Sequence, residues 1–180
     1  RRESKIVPES DNSHVAMAVN LDACINCNLC VRACREVQVN DVIGMGNRGH
    51  VSKVIFDFND PMGDSSCVSC GECVQACPTG ALMESNLLNE KGKKVINPDR
   101  KVDSLCPYCG VGCQLTYNIK DEKIVSVDGR EGPANHNRLC VKGRFGFDYV
   151  HNPERITKPL IRKTGAVSYT HLRAHETQRN

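Results

Sequence analysis

The chain has 180 residues, 39% of them hydrophobic, 4% aromatic and none tryptophan. That is length for one or two small domains but little material for a strong apolar core. A net charge of +3, with lysines and arginines scattered and no aromatic interleaving, excludes a nucleic-acid footprint. No apolar run reaches the length of a membrane span, and Arg1-Arg2 lacks the apolar segment that would follow in a secretion signal. The chain does not begin with methionine and is expected to be an internal fragment.

In chain order, residues 1–14 are polar and read as a linker. Residues 15–19 have apolar strand character and lead into Cys24, Cys27, Cys30 and Cys34, spaced C-x-x-C-x-x-C-x-x-x-C. Residues 29–37 suit a short helix. Residues 50–58 (HVSKVIFDF) alternate in part and predict a strand, with Val51, Ile55 and the phenylalanines packing. Asp60-Pro61-Met62-Gly63 predicts a turn. Cys67, Cys70, Cys73 and Cys77 repeat the first spacing, with Pro78 directly after, then a short helix through Cys77 and a strand at 81–84. Two cysteine loops with helices and flanking strands form an internal repeat over 15–86. Residues 87–101 are polar, with Gly92 and Pro98, and read as a second linker. Cys106, Cys109 and Cys113 follow, completed downstream by Cys140. Leu115, Tyr117 and Ile119 alternate with polar residues, Asp121-Glu122-Lys123 turns, and 124–127 returns, which predicts a β-hairpin carrying the cysteine loop at one end. Residues 143–150 suit a short helix, and Pro153 and Pro159 interrupt regular structure beyond it. The expected class is α+β, with a small hairpin module over 102–165.

The twelve cysteines thus fall into three groups of four with none left over, the thiolate requirement of three [4Fe–4S] clusters. Structural zinc is the first alternative, but it prefers separated C-x-x-C pairs, often with histidine, and here three cysteines crowd one short loop twice. Disulfides are the second, but thiols two or three residues apart in loops suit metal better. Metal ligation also fits a reducing compartment, and a cytoplasmic location is expected. Metal binding should then be part of folding, with the apo form largely disordered.

Residues 166–177 (AVSYTHLRAHET) resemble, residue by residue, the translation of a transposon-end sequencing adaptor. The segment 166–180 is therefore left out of the fold reading, and the natural sequence is expected to stop near Gly165 within a longer protein. His171 and His175 are given no metal role.

The first two runs resemble those of bacterial two-cluster ferredoxins, in which the fourth cysteine of each run binds the other cluster. That resemblance implies one cluster on Cys24, Cys27, Cys30 and Cys77 and a second on Cys67, Cys70, Cys73 and Cys34. Cys34 is followed by Arg35 where the ferredoxin run has proline. With CPYCGVGC at 106–113 and LCVKGRFGFDYVHNPERITKPLIR at 139–162, the chain from about Val15 to Arg162 resembles the N-terminal part of molybdenum or tungsten bis-pterin oxidoreductases. It is most similar to the large subunit of cytoplasmic, NAD-linked formate dehydrogenase. The resemblance implies a third cluster on Cys106, Cys109, Cys113 and Cys140, and a lysine, Lys142, between that cluster and the pterin, with Gly143 beside it. It implies that Gly110, Gly112 and Gly143 let backbone approach sulfur and donate N–H groups. It also implies a Mo or W bis-pterin guanine dinucleotide beyond Gly165, with the formate-handling residues, so no catalytic residue is assigned within this chain. Implied partners are diaphorase-type subunits carrying flavin, NAD and Fe–S centres. His50, His136 and His151 are expected at the surface or behind a ligand rather than in catalysis. Other readings are another bis-pterin oxidoreductase, the large Fe–S subunit of NADH:quinone oxidoreductase, or a stand-alone electron carrier.

Overall fold

The computed structural model describes residues 8–158, 160–162 and 169–171. The chain divides into two compact units, Arg1–Phe147 and Asp148–Asn180. The first strand of the larger unit, β1 (Met17–Val19), follows a loop. The first cysteine run then leads into α1 (Leu29–Arg32), which widens without a break into a looser turn over Ala33–Val37. β2 (Ile43–Gly46) and β3 (Lys53–Phe56) pair antiparallel, with Ile43 opposite Phe56. The second run leads into α2 (Glu72–Ala76) and then β4 (Leu82–Glu84). β4 returns to β1 with Val19 opposite Leu82, so the ends of the repeat close on each other.

The two runs repeat in backbone as well as in sequence. Asn26 and Ser69, two residues after the first cysteine of each run, have φ of 54° and 57°. Asn28 and Gly71, directly before α1 and α2, have φ of 61° and 71°. These left-handed residues fold each loop tightly, and Asn and Gly are the types that enter that region at least cost. The core they surround holds Met17, Val19, Val31, Val42, Ile43, Val54, Phe56, Met62, Val74 and Leu82, together with Cys30, Cys34 and Cys73. Thiols thus fill places that aliphatic side chains would otherwise take.

Beyond residue 99 the chain forms a three-stranded antiparallel sheet of β5 (Arg100–Leu105), β6 (Gln114–Lys120) and β7 (Lys123–Gly129), in that order. Leu115, Val127 and Leu139 form its buried cluster, with Tyr117, Ile124 and Phe147 against it. The short helix α3 (Val141–Phe145) starts directly after Cys140. In the second unit Asp148–His151 makes a single helical turn and the Arg155 guanidinium lies 5.1 Å from the centre of the Tyr149 ring. β8 (Leu160–Arg162) pairs antiparallel with β9 (Tyr169–His171). Of the adaptor-like residues only those of β9 are described. Pro159 and His175 lie outside the described residues.

Four expectations need correction. The hairpin is a three-stranded sheet, because Arg100 and Lys101, read as linker, already belong to β5. β5 is almost wholly exposed and so lacks the apolar alternation that marks a strand. The strand expected over 50–58 is shorter: Gly49–Val51 makes a helical turn, and positive φ at Asp57 and Asn59 turns the chain away after Phe56. Val51 and Phe58 are therefore exposed, at 53% and 97%, not packing residues. The helix expected over 143–150 starts earlier and ends at Phe145. The polar N-terminal stretch is not free from residue 11 onward: Asp11 exchanges backbone hydrogen bonds with Val19 and accepts one from Met62 N at 2.7 Å. Among the described residues no helix is long and apolar enough to cross a membrane.

Candidate metal centres

Each ferredoxin-type run bends so that backbone N–H groups point at sulfur. Asn26 N donates to Cys24 Sγ and Ser69 N to Cys67 Sγ, both at 3.4 Å, so the repeat extends to the individual hydrogen bond. Val42 N donates to Cys34 Sγ at 3.4 Å, and Asn40 Nδ2 lies 3.9 Å from Cys70 Sγ. Donors aimed at sulfur favour thiolate over thiol, the form that binds metal.

The thiols group in space. Cys24, Cys27, Cys30 and Cys77 line one apolar pocket with Leu21, Ile25, Val54, Pro78 and Leu82. Burial pushes the Cys30 thiol up to about 11, and the charges of Cys24, Cys77 and Cys27 add to the shift. Burial also drives Cys73 well up, with Cys70, Cys67, Cys30 and Cys34 adding. Cys67 and Cys70 are raised by burial and, in each case, by Cys34. Burial raises Cys77 as well, but N–H donation from Leu82, Thr79 and Ala81 outweighs it and leaves the thiol below its ordinary value. Cys77 thus lies on the pocket of the first run, and Cys30, Cys34 and Cys73 share one buried core.

The third set stands at the end of the β5–β6–β7 sheet. Cys106 N donates to Cys113 O at 2.8 Å and closes the loop between β5 and β6. Burial raises Cys113, with Cys106, Cys109 and Cys140 adding, and Cys106 and Cys113 pack against the cluster that holds Leu139, next to Cys140. Asn135 holds the return path: its side chain accepts from Gln114 N and donates to the carbonyls of Gln114, Arg130 and Arg138. Sequence reading passed over Asn135, whose only outward sign is its place in a polar loop before Cys140. Gly143 would set a Cβ 3.6 Å from Cys106 Sγ, Gly112 has φ of 69°, and Gly110 has open space around it. Among the described residues no three His, Cys, Asp or Glu side chains close round a single metal ion. A cubane instead takes one thiolate at each iron corner, so its four sulfurs stand further apart than the ligands of one ion. Twelve free thiols, with backbone N–H donors turned toward Cys24, Cys34 and Cys67, fit such clusters.

Residues 23–81 match the family model of the 4Fe-4S dicluster domain, and residues 99–152 match that of the molybdopterin oxidoreductase Fe4S4 domain. Two domains thus follow each other along the chain, a dicluster domain over residues 23–81 and a molybdopterin oxidoreductase Fe4S4 domain over residues 99–152. A Staphylococcus haemolyticus protein provisionally named a formate dehydrogenase is 35% identical over 181 residues, covering 80% of this chain and 18% of its own length. A Bacillus subtilis protein named only as an oxidoreductase is 34% identical over 189 residues, 85% of this chain and 19% of its own. The chain therefore spans under a fifth of the length of these relatives. Among solved structures it is similar to an NAD+-reducing [NiFe]-hydrogenase in its H2-reduced state, at 26% identity and a TM-score of 0.41, covering 49% of this chain and 36% of that one.

The seam between the two domains is polar and lies against the second thiol set. Arg144, in α3 of the Fe4S4 domain, is 1% exposed. It donates to Cys70 O and Gln75 Oε1 at 2.8 Å and meets Glu72 Oε2 and Val127 O at 3.3 Å. Gln38, four residues after Cys34, donates to Leu139 O, next to Cys140, at 3.2 Å. Gln75 also accepts from Gly129 N and donates to Asn137 O. His14, unnoticed in the sequence, is 8% exposed. Its Nδ1 accepts from Ala16 N and Met17 N, and its Nε2 pairs with Ser69 Oγ in the second cysteine loop. Lys142 is exposed on α3, two residues after Cys140, and His50, His136 and His151 are exposed.

Proposed function

We propose that this chain is the electron-relay segment of a formate dehydrogenase large subunit, located in the cytoplasm. Cys24, Cys27, Cys30 and Cys77 would hold one [4Fe–4S] cluster, Cys67, Cys70, Cys73 and Cys34 a second, and Cys106, Cys109, Cys113 and Cys140 a third. A bound cubane supplies one-electron redox chemistry with little rearrangement of its ligands. The observation that carries the reading is the succession of the thiol sets: Cys30 of the first and Cys34 and Cys73 of the second share one buried core, and Arg144, four residues after Cys140, donates to the carbonyl of Cys70. A chain of neighbouring sets is what stepwise passage of single electrons requires.

In the parent protein a Mo or W bis-pterin guanine dinucleotide would supply the oxidation of formate to carbon dioxide, in a part lying outside this chain. Lys142 and Gly143, at the start of α3, would face that cofactor. Electrons would leave toward NAD through a diaphorase-type partner with flavin. The names of the staphylococcal relatives support formate, and the resemblance of residues 139–162 supports the NAD-linked type. A second reading, another bis-pterin oxidoreductase, draws support from the Bacillus subtilis relative, whose name specifies no substrate. Turnover by the full-length protein separates the two: formate oxidation supports the first, and activity on nitrate alone supports the second.

Anaerobic reconstitution of the chain with iron and sulfide tests the relay itself. About twelve irons per chain, with magnetically coupled cubane signals on reduction, is the expected result. Zinc without acid-labile sulfide overturns it.

A further inference from the structure

We infer that Arg144 and Glu72 form a buried charge pair that sets the reduction potential of the cluster held by Cys34, Cys67, Cys70 and Cys73. The inference rests on the cluster assignment proposed above. Arg144 belongs to one domain and Glu72 to the other, and their side chains are 1% and 11% exposed. Glu72 sits between Cys70 and Cys73 in the chain, and the Arg144 guanidinium donates directly to the carbonyl of Cys70.

Packing alone does not call for an arginine here. A buried cation is costly unless paired and fully hydrogen-bonded, and an apolar side chain of similar volume often serves as well or better. Yet the backbone reserves the space: a Cβ on Gly71 would overlap Arg144 Cδ, and Gly71 lies at φ of 71°. Besides Glu72, the partners of Arg144 are neutral acceptors (Cys70 O, Gln75 Oε1 and Val127 O). The positive charge is thus anchored beside the cysteine loop by neutral groups and ion-paired to the Glu72 carboxylate at 3.3 Å.

The sign of the effect follows from Coulomb's law in a poorly screened site. A cluster gains one negative charge on reduction, so the cation favours the reduced state and the carboxylate opposes it. Arg144→Gln leaves Glu72 uncompensated and lowers the potential. Glu72→Gln leaves Arg144 uncompensated and raises it. The double variant restores the charge balance and returns toward the parent value. A purely structural role predicts no such opposition of signs.

The test uses the whole 180-residue chain, reconstituted anaerobically, assayed for iron and sulfide, and titrated with dithionite under EPR detection. The relevant signal is identified as the one altered in Cys73→Ser. Each single variant is expected to change the reduced-to-oxidised ratio at fixed potential by at least tenfold, in opposite directions, which is about 59 mV for one electron. Unmoved potentials in loaded variants overturn the inference and leave the cluster assignment standing. If Arg144→Gln does not load, Glu72→Gln decides alone: a rise supports the pair, and no change overturns it. A parent chain without acid-labile sulfide overturns the assignment beneath it.

Discussion

In the dicluster domain Cys30, Cys34 and Cys73 are buried among Met17, Val31, Phe56 and Leu82. In the Fe4S4 domain none of the four thiols is buried, and Cys109 and Cys140 are exposed. There the apolar cluster of Leu115, Val127 and Leu139 forms under a sheet whose backbone pairs itself. The first region places its candidate ligands inside its core, and the second places them at the rim. Folding and metal uptake should therefore be one event in the first and nearly separate events in the second.

The largest expected effect comes from stripping iron with a chelator. Amide exchange should lose nearly all protection at Val31 and Val54 while β6 and β7 keep theirs; equal loss in both regions would erase the contrast. Next come two glycine variants, compared by denaturant unfolding of the loaded chain. Gly71→Ala should cost about 3 kcal/mol, because left-handed backbone and overlap with Arg144 act together. Gly112→Ala, at φ of 69° with open space around it, should cost about 1 kcal/mol. A similar loss at both would mean that the seam at Arg144 is not tightly packed.

Asn135→Ala should cost about 2 kcal/mol by unpairing Gln114 N and three part-buried carbonyls, and should release iron from the third set alone. Loss of iron from the dicluster domain as well would argue against separable regions. The smallest effect concerns Glu84 in β4. Burial pushes its carboxyl up, outweighing donation from a backbone N–H, with the Asp128 charge adding. A carboxyl raised on folding contributes stability below its unfolded value and loses it as pH rises through the folded one. Glu84→Gln should therefore raise the thermal midpoint slightly at pH 7, and the gain should shrink as the pH falls toward 4.5. A gain that is constant with pH would assign the effect to something other than ionisation.

Much of this fold is written in spacing. The repeated C-x-x-C-x-x-C-x-x-x-C runs announce both the internal repeat and its chemistry, since three sulfurs in so short a loop need a left-handed backbone that Asn26, Asn28 and Gly71 supply. β6 and β7 announce themselves through alternation. β5 does not, because its side chains are nearly all exposed and carry no periodic signal. Arg144 is illegible for a different reason: a lone arginine in a basic stretch looks solvated, and only its distance of 2.8 Å from Cys70 O, 74 residues away, reveals it as buried. Asn135 and His14 share that property, since each works through long-range or backbone partners that sequence does not rank.

The outer strand β5 has a consequence of its own. In the order β5–β6–β7 one flank of its backbone is left without a neighbouring strand among the described residues, and such a flank is a template on which another extended segment can add. Arg100, Lys101 and Asp103 lie along it, and Arg100 is tied to Glu122 at 2.9 Å. Two copies brought together there in parallel would set like charges side by side, which works against fibril-like stacking. A strand of complementary charge would meet no such barrier, so the edge disfavours parallel stacking of copies more than docking of a different segment.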